Sequence, residues 1–506
     1  MSDTVSRREF LKESGRAAAG VGLAGMSGPA VLRALGANEQ IQVGFVGLGI
    51  RGNFLLTNTL KNVPGIRVTG ICDAYQGYVK RALDHVTKAG QPAPEVFNDY
   101  RALLESKNID AVMIATPEHW HHRMGLDALA AGKDLFVEKA LAHTTKECEE
   151  LAKAAANSKC VIQVGTQRRS SPIYMKAREM YQQGLLGKMT CVRAFWYRNT
   201  LTPQWRYTIP PDASPQTCNW EAFLGRARKR PFDSARMFQW RLYWDYSQGI
   251  ATDLMTHQLD AIQMVTGETA PLTVISQGAI YLWNDGREVP DTWHSVFQYK
   301  DFTVDYTCMF GNSRFGYGEQ FLGSEGTLEV LDLKTLIFTP EKFTSAGKDV
   351  TPEKIRGRQA VTLDASQLDP TEVNVLHLRN FFDCVRTRKQ TNCPMPIGEQ
   401  APRPATWQCW PSRKSAKSTG TPPRASTPWR DQSRHRDTEA QRNEDQQERA
   451  FFCVRCASVA NFKRGEAMRL GIFTALFPNL TLDEVIKTIK KIGISTVELG
   501  TGNYPG

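Results

Sequence analysis

The sequence predicts an α/β protein: a doubly wound parallel sheet, followed by an α+β domain with a large, mostly antiparallel sheet. Strand-like and helix-like runs alternate from Ile41 to about Gln167, and a glycine-rich turn joins the first strand to the first helix. Beyond Ser170, longer strands rich in aromatic and β-branched residues take over. At 506 residues, 41% of them hydrophobic, the chain can bury two or three cores.

The first strand, in "IQVGFVGLGIRGNFLL", runs through Gly47, Leu48, Gly49, Ile50, Arg51 and Gly52 into a helix. A Gly-x-Gly-x-x-Gly turn there lets backbone N–H groups approach a pyrophosphate with no side chain in the way. A second strand, "IRVTGICDAY", brings up Asp73 at its end. A carboxylate at that place accepts hydrogen bonds from both ribose hydroxyls and repels a 2′-phosphate, which favours NAD over NADP. A glycine turn beside an ordinary surface aspartate is the plainer alternative. The alternation continues through a helix at Tyr100 to Ser106, then "DAVMIATP", "HHRMGLDALAAG", "DLFVEKA", a helix through Ala154, and "VIQVGTQ". In such sheets ligands lie beyond the carboxyl ends of the strands, so Thr116, Pro117, Glu138, Lys139 and Gln167 should surround one crevice.

These stretches, with "GLGIRG", "ATPEHWH", "AGKDLFVEKA" and "GSEGTLEV", resemble the glucose-fructose oxidoreductase and inositol dehydrogenase family, Gfo/Idh/MocA, over roughly residues 41–400. The resemblance implies an NAD(P)-binding Rossmann domain at 41–168 and a substrate and oligomerisation domain at 169–400. It also implies a homo-oligomer built through the second sheet. Where the family commonly has Glu-Lys-Pro, this chain has Glu138-Lys139-Ala140, so the lysine is kept without the proline that shapes the nicotinamide pocket.

In the second domain, "MTCVRAFWYR", "LTVISQGAIYL", "TWHSVFQYK" and "FTVDYTCMF" read as antiparallel strands. Before the last three stands "WRLYWDYSQGIATDLMTHQLDAI", where a helix would put Asp253 and His257, four residues apart, on one face. The family's Asp-x-x-x-His pattern falls on these two, which with Lys139 would surround the reacting carbon. Hydride transfer from an alcohol needs a group to take the hydroxyl proton and others to hold the oxygen. His257 is expected as the principal acid/base, Lys139 as proton relay and oxygen-polarising partner, and Asp253 as the orienter of the histidine or the substrate. Trp205, Trp240, Arg241 and Tyr243 are candidates for stacking on and hydrogen bonding to a sugar, and the Trp and Tyr residues are equally candidates for core. The run His119 to His122 invites a metal reading, but no Cys or carboxylate stands at ligand spacing, so no metal is expected. In the family pattern His121 would lie beside the cofactor, and His122 is expected at the surface.

The net charge of +11 would suggest a nucleic-acid partner if it lay on the folded body. It does not, because residues 401–467 alone hold 13 Lys and Arg against 7 Asp and Glu, and the body is near neutral. The cysteines are scattered, and the close pair Cys453 and Cys456 has no second pair to complete a zinc site.

Both ends carry further expectations. "SRREFLK" before an Ala/Gly-rich run resembles a twin-arginine export signal over residues 1–37, with Arg7 and Arg8 as the pair, implying a periplasmic or otherwise exported protein and the twin-arginine machinery as a partner. Residues 401–467 have no apolar period. Back-translated with suitable synonymous codons and read two nucleotides later, Thr406 to Thr421 gives a segment ending in Asn-Trp-Asp that resembles the family's final helix, so a frameshift near Gln400 is inferred. Residues 468–506, from Met468, then resemble the first βαβ piece of a sugar phosphate isomerase or epimerase barrel, too short to close one.

A sugar or polyol oxidoreductase follows, with an NAD-assisted redox-neutral glycoside hydrolase as the alternative. Export into a compartment with no NAD pool further implies a cofactor carried along and recycled, with Asn38 to Gln40 expected to help retain it.

Overall fold

The computed structural model describes residues 40–398 and 400. The signal at 1–37, the segment 401–467 and the fragment 468–506 lie outside the described residues.

Six parallel strands form the first sheet: β1 (Ile41–Val46), β2 (Ile66–Cys72), β3 (Glu95–Phe97), β4 (Ala111–Ile114), β5 (Asp134–Val137) and β6 (Ile162–Val164). Their order is β3-β2-β1-β4-β5-β6. Helices α1 (Ile50–Asn62), α2 (Gln76–Lys88), α3 (Tyr100–Glu105), α4 (Glu118–Ala130) and α5 (Thr145–Ala156) cover it. β4 and β5 are buried at every position, as strands covered on both faces require. The order reverses direction between β1 and β4, and the crevice opens beyond the carboxyl ends of those strands.

After α6 (Pro172–Gln182) come β7 (Met189–Tyr197), two short helices α7 (Trp220–Leu224) and α8 (Ser234–Phe238), a π-helical turn at Ala251–Met255 and α9 (Thr256–Thr266). Strands β8 (Thr273–Ala279), β9 (Thr292–Gln298), β10 (Thr303–Met309), β11 (Tyr317–Gly323), β12 (Gly326–Leu331) and β13 (Thr335–Pro340) follow, then a two-stranded ribbon, β14 (Thr344–Ser345) with β15 (Lys348–Asp349), and β16 (Val361–Asp364). The large sheet runs β16-β13-β12-β11-β7-β10-β9-β8, antiparallel except where β7 meets β10. In β9, Trp293, Ser295 and Phe297 point inward while His294, Val296 and Gln298 point out, the period of two expected of a sheet with one covered face. Helix α9 lies against the covered side and is buried along nearly its whole length.

The chain then returns to the first sheet. Helix α10 (Val373–Thr387) places Leu378, Phe381, Phe382 and Val385 in one core with Val43, Phe45 and Phe136, and α11 (Met395–Gly398) follows. The first sheet's packing is thus completed from the far end of the described chain.

Candidate active site

A cleft of about 1250 Å³ runs from the β1–α1 turn to the second domain. That exceeds the roughly 300–1,000 Å³ usual for one small ligand and leaves room for two.

The nucleotide end is made by backbone. Gly47 has φ of 85°, and a Cβ there would come within 2.7 Å of the Ala115 and Thr116 backbone. A Cβ on Gly52 would stand 1.8 Å from the Gly47 carbonyl oxygen. Neither position accepts a side chain, and the turn so formed fits a pyrophosphate at the start of α1. Gly47, Gly49, Ile50 and Arg51 line the cleft, while Leu48 is buried behind it and donates its N–H to Asp73 Oδ2 at 2.5 Å. Asp73 Oδ1 accepts from Tyr75 N at 2.8 Å, which fixes the carboxyl at the cleft wall. Burial pushes Asp73 up to about 6 against the pull of those N–H groups and Arg81. Thr116, Pro117, Glu138, Lys139 and Gln167 also line the cleft. Arg51 pairs with Glu138 at 2.6 Å and reaches Asn374 of α10 at 2.9 Å.

His121 does not stand on the cleft wall. Its ring is buried, with Nδ1 2.6 Å from the Ala140 carbonyl oxygen and Nε2 2.8 Å from that of Thr116, so it braces the two strand-end loops. His122, expected at the surface, is buried and lies 2.9 Å from Glu150 of α5, because α4 packs that face on α5. His119 turns to the Phe223 carbonyl at 2.9 Å, so the three histidines have separate partners.

At the other end Lys139 reaches across from the first domain to the second. Its Nζ bonds Asp253 Oδ1 at 2.7 Å and the Asp253 carbonyl at 2.5 Å. Asp253 Oδ1 also accepts from Arg241 Nε at 2.9 Å, and Oδ2 from Trp205 Nε1 at 3.1 Å. The expected orientation of His257 by Asp253 is therefore not what the structure contains. The reason is the π-helical turn: its wider i→i+5 winding swings Asp253 toward the two cations instead of stacking it beneath His257. Burial opposes ionisation of Asp253, but Arg241 and Lys139 outweigh it and hold the carboxyl well below its usual range. His257 lines the cleft, its Nδ1 has no partner among the described residues, and burial, Lys139 and Arg168 keep the imidazole neutral by lowering it well below the usual value.

Trp240 and Arg241 line the cleft, whereas Tyr243 does not. It is buried in the second-domain core beneath the Arg236 guanidinium, 4.2 Å from its ring, which removes it from the candidate sugar wall. Trp205 is likewise buried and acts on Asp253.

Three features escape sequence reasoning. Glu118, at the start of α4, is buried and accepts from Thr252 Oγ1 at 2.7 Å, Ser247 Oγ at 3.0 Å and Gln248 N at 3.4 Å, tying the π-helical turn to the first domain. It stands within "ATPEHWH", but nothing in that spacing names its partners. Behind His257, Arg168 lies 4.6 Å from the Tyr317 ring and 3.5 Å from Glu319. Finally, the segment 207–238 crosses the cleft as a strap. Gln76 N bonds the Thr217 carbonyl at 3.0 Å, Asn219 N bonds that of Ala74 at 2.7 Å, and Tyr75 Oη bonds Asp212 at 2.5 Å. On the opposite wall Trp120 Nε1 bonds the Phe223 carbonyl at 2.9 Å. Of the segment expected to help retain the nucleotide, Asn38 and Glu39 lie outside the described residues, and Gln40 immediately precedes β1, so it lies at the sheet end away from the cleft, beside Asp110 and Asp134.

Comparison with known proteins agrees with this architecture. Residues 41–166 match the oxidoreductase family's NAD-binding Rossmann fold, and residues 176–303 its C-terminal alpha/beta domain. An alpha-N-acetylgalactosaminidase of Shewanella oneidensis is 32% identical over 206 residues, covering 37% of this chain and 44% of that protein. A glycosyl hydrolase family 109 protein of Shewanella sp. is equally similar. The chain thus spans less than half the length of these curated relatives. Levoglucosan dehydrogenase in complex with NADH and levoglucosan has a similar fold, with a TM-score of 0.54 at 17% identity over 72% of this chain and 95% of that one. UDP-N-acetylglucosamine 3-dehydrogenase from Acidithiobacillus ferrooxidans gives 0.51 at 17%, over 72% and 95%. From the glycine turn, the two sheets and both matched domains together, the chain belongs to the Gfo/Idh/MocA oxidoreductase family, with an NAD-binding Rossmann domain.

Proposed function

We propose that the protein exchanges a hydride between NAD and a hydroxyl-bearing carbon of a sugar or polyol, and keeps the nucleotide bound while doing so. The observation that carries this reading is the Lys139–Asp253 pair beside a neutral His257, in the same cleft as the glycine turn and Asp73. Bound NAD supplies the hydride acceptor. The alcohol loses a hydride from carbon and a proton from oxygen, and the neutral His257 imidazole is the group that takes the proton. Lys139, held by Asp253, donates to the alcohol oxygen as negative charge develops there. Asp253 stays ionised and sets the position of Lys139 and Arg241, while Trp240 offers a ring for a sugar face.

Retention of the nucleotide is supported by the strap, which bonds to the loop after Asp73 on one side and to α4 on the other. Release then requires several of these hydrogen bonds to open together. A retained cofactor must be returned to its starting state within each cycle, and the twin-arginine-like start of the chain favours delivery of the folded protein with NAD already in place. A second reading is favoured by the names of the curated relatives. Transient oxidation of a ring carbon would acidify the neighbouring C–H, the aglycone would leave, water would add, and the hydride would return.

The test is to dialyse the purified protein extensively, denature it and assay the supernatant for nicotinamide nucleotide, then offer sugars, polyols and aryl glycosides to the intact protein. Near-stoichiometric NAD, with reduction of the bound nucleotide by sugars, supports the main reading. Aglycone release without added NAD selects the hydrolase. Absence of nucleotide, with turnover only on added NAD, overturns retention.

A further inference from the structure

Arg241 has more donors than its protein partners use. Its Nε bonds Asp253 Oδ1 at 2.9 Å, and its guanidinium lies over the Trp240 ring at 4.2 Å. Root and face of the planar fork are thus both fixed. Among the described residues no acceptor meets its two terminal nitrogens, and neither is sealed from solvent. Arg241 lines the cleft together with Lys139, His257 and Trp240, so those nitrogens are presented beside the groups placed around the reacting carbon.

The nearby acids do not neutralise the fork. Asp253 is shared between Lys139, Arg241 and Trp205. Glu118 is buried away from the cleft and is engaged by Ser247, Gln248 and Thr252. Lys139 does not serve as a second anchor, since Asp253 takes two of its three N–H groups and the third is the one assigned to the alcohol oxygen. A guanidinium with two parallel N–H vectors matches a planar two-oxygen acceptor, and charge-assisted pairs of that kind are shorter and stronger than bonds to neutral hydroxyls. Hydroxyls of a neutral sugar can also accept from the fork, but they bring no charge to match the cation left over when Lys139 and Arg241 share the single Asp253 carboxylate.

We infer that the substrate carries a carboxylate close to the reacting hydroxyl: a sugar acid or its glycoside, of the uronic or aldonic class. This rests on the sugar-hydroxyl reading of the cleft.

The experiment follows reduction of the bound nucleotide by fluorescence when the purified protein meets glucuronate, galacturonate or gluconate, against glucose, galactose and inositol. Aryl glucuronides are compared with aryl glucosides in parallel. The acids are expected to reduce the bound nucleotide about tenfold or more faster at equal, subsaturating concentration, the scale of one charge-assisted hydrogen bond. Arg241→Gln should bring that ratio close to one, and Arg241→Lys, which keeps the charge but not the fork, should leave part of it. Because Arg241 also steadies Asp253, competition on the unmodified protein by methyl glucuronoside against methyl glucoside gives a measure independent of any variant's folding. Neutral sugars reacting as well as acids, or an undiminished preference in Arg241→Gln, would overturn the inference alone. Silence from both classes would overturn the sugar-hydroxyl reading and this inference with it.

Discussion

At the nucleotide end of the cleft the chain uses backbone, and at the end proposed for the reaction it uses charge. Gly47 and Gly52 leave a cradle that no Cβ can enter, and the N–H groups of Leu48 and Tyr75 fix Asp73. Every one of those residues lies within thirty positions of the others. The other end is assembled from Trp205, Arg241, Asp253 and His257 of the second domain, and Lys139 joins them only when the two domains pack. The difference teaches that a backbone site tolerates almost no substitution but is written locally. A charge site is written nowhere in particular and depends on the elements that aim it.

The comparison can be broken first at Gly52. Gly52→Ala puts a methyl 1.8 Å from a backbone oxygen that cannot move independently of the turn. Complete loss of co-purifying nucleotide and a lowered Tm are expected, and an alanine variant that still carries stoichiometric NAD would show the turn is not the cradle. Next come Lys139→Ala and His257→Ala. Each should lower turnover by roughly 10²–10⁴, the usual worth of a positioned proton-transfer group, while nucleotide content stays as in the parent protein. Undiminished turnover in both would remove the assignment.

A smaller effect is expected at Glu118, which aims the π-helical turn without reaching the cleft. Glu118→Gln replaces an acceptor of three hydrogen bonds by a group whose amide nitrogen accepts none, a cost of about 1–3 kcal/mol. Turnover should fall by about tenfold with KM little changed; a KM effect alone would mean that Glu118 does not position Asp253. The mildest effect is that of pH on the nucleotide end. Asp73 is raised to about 6 by burial, so below that pH the free carboxyl is protonated and must release its proton to accept from ribose. Nucleotide affinity should therefore decline as pH falls through about 6, by at most tenfold per unit, and be flat above it. A decline that persists in Asp73→Asn would assign it elsewhere.

Much of this was legible in the sequence, for physical reasons that differ by region. The parallel sheet shows because strands buried on both faces are continuously apolar, and β9 and β10 show because one covered face imposes a period of two. The glycine turn shows because no other residue fits it. The bend at Ala251–Met255 did not show, since a π-helical turn is one residue's worth of extra winding in an otherwise helical stretch, and it decides whether Asp253 serves His257 or Lys139. His122 was misplaced, and the choice between wall and core for Tyr243 stayed open, for a related reason: amphipathic rings suit a wet wall or a packed interior, and only the neighbouring element decides. The strap at 207–238 contains only short helices, so its path had to be seen in hydrogen bonds to Ala74, Gln76 and Trp120.

The return of α10 to the first sheet also governs the order of events during synthesis. Val43, Phe45 and Phe136 wait for Phe381 and Phe382, and β6 waits for Cys393, whose carbonyl accepts the Val164 N–H at 2.9 Å. A ribosome that has delivered the entire nucleotide-binding motif has therefore not delivered a finished nucleotide-binding domain. The early half lacks these packing partners for some two hundred further residues. Its packing is finished only once the second sheet has been made and the chain has come back to close the first.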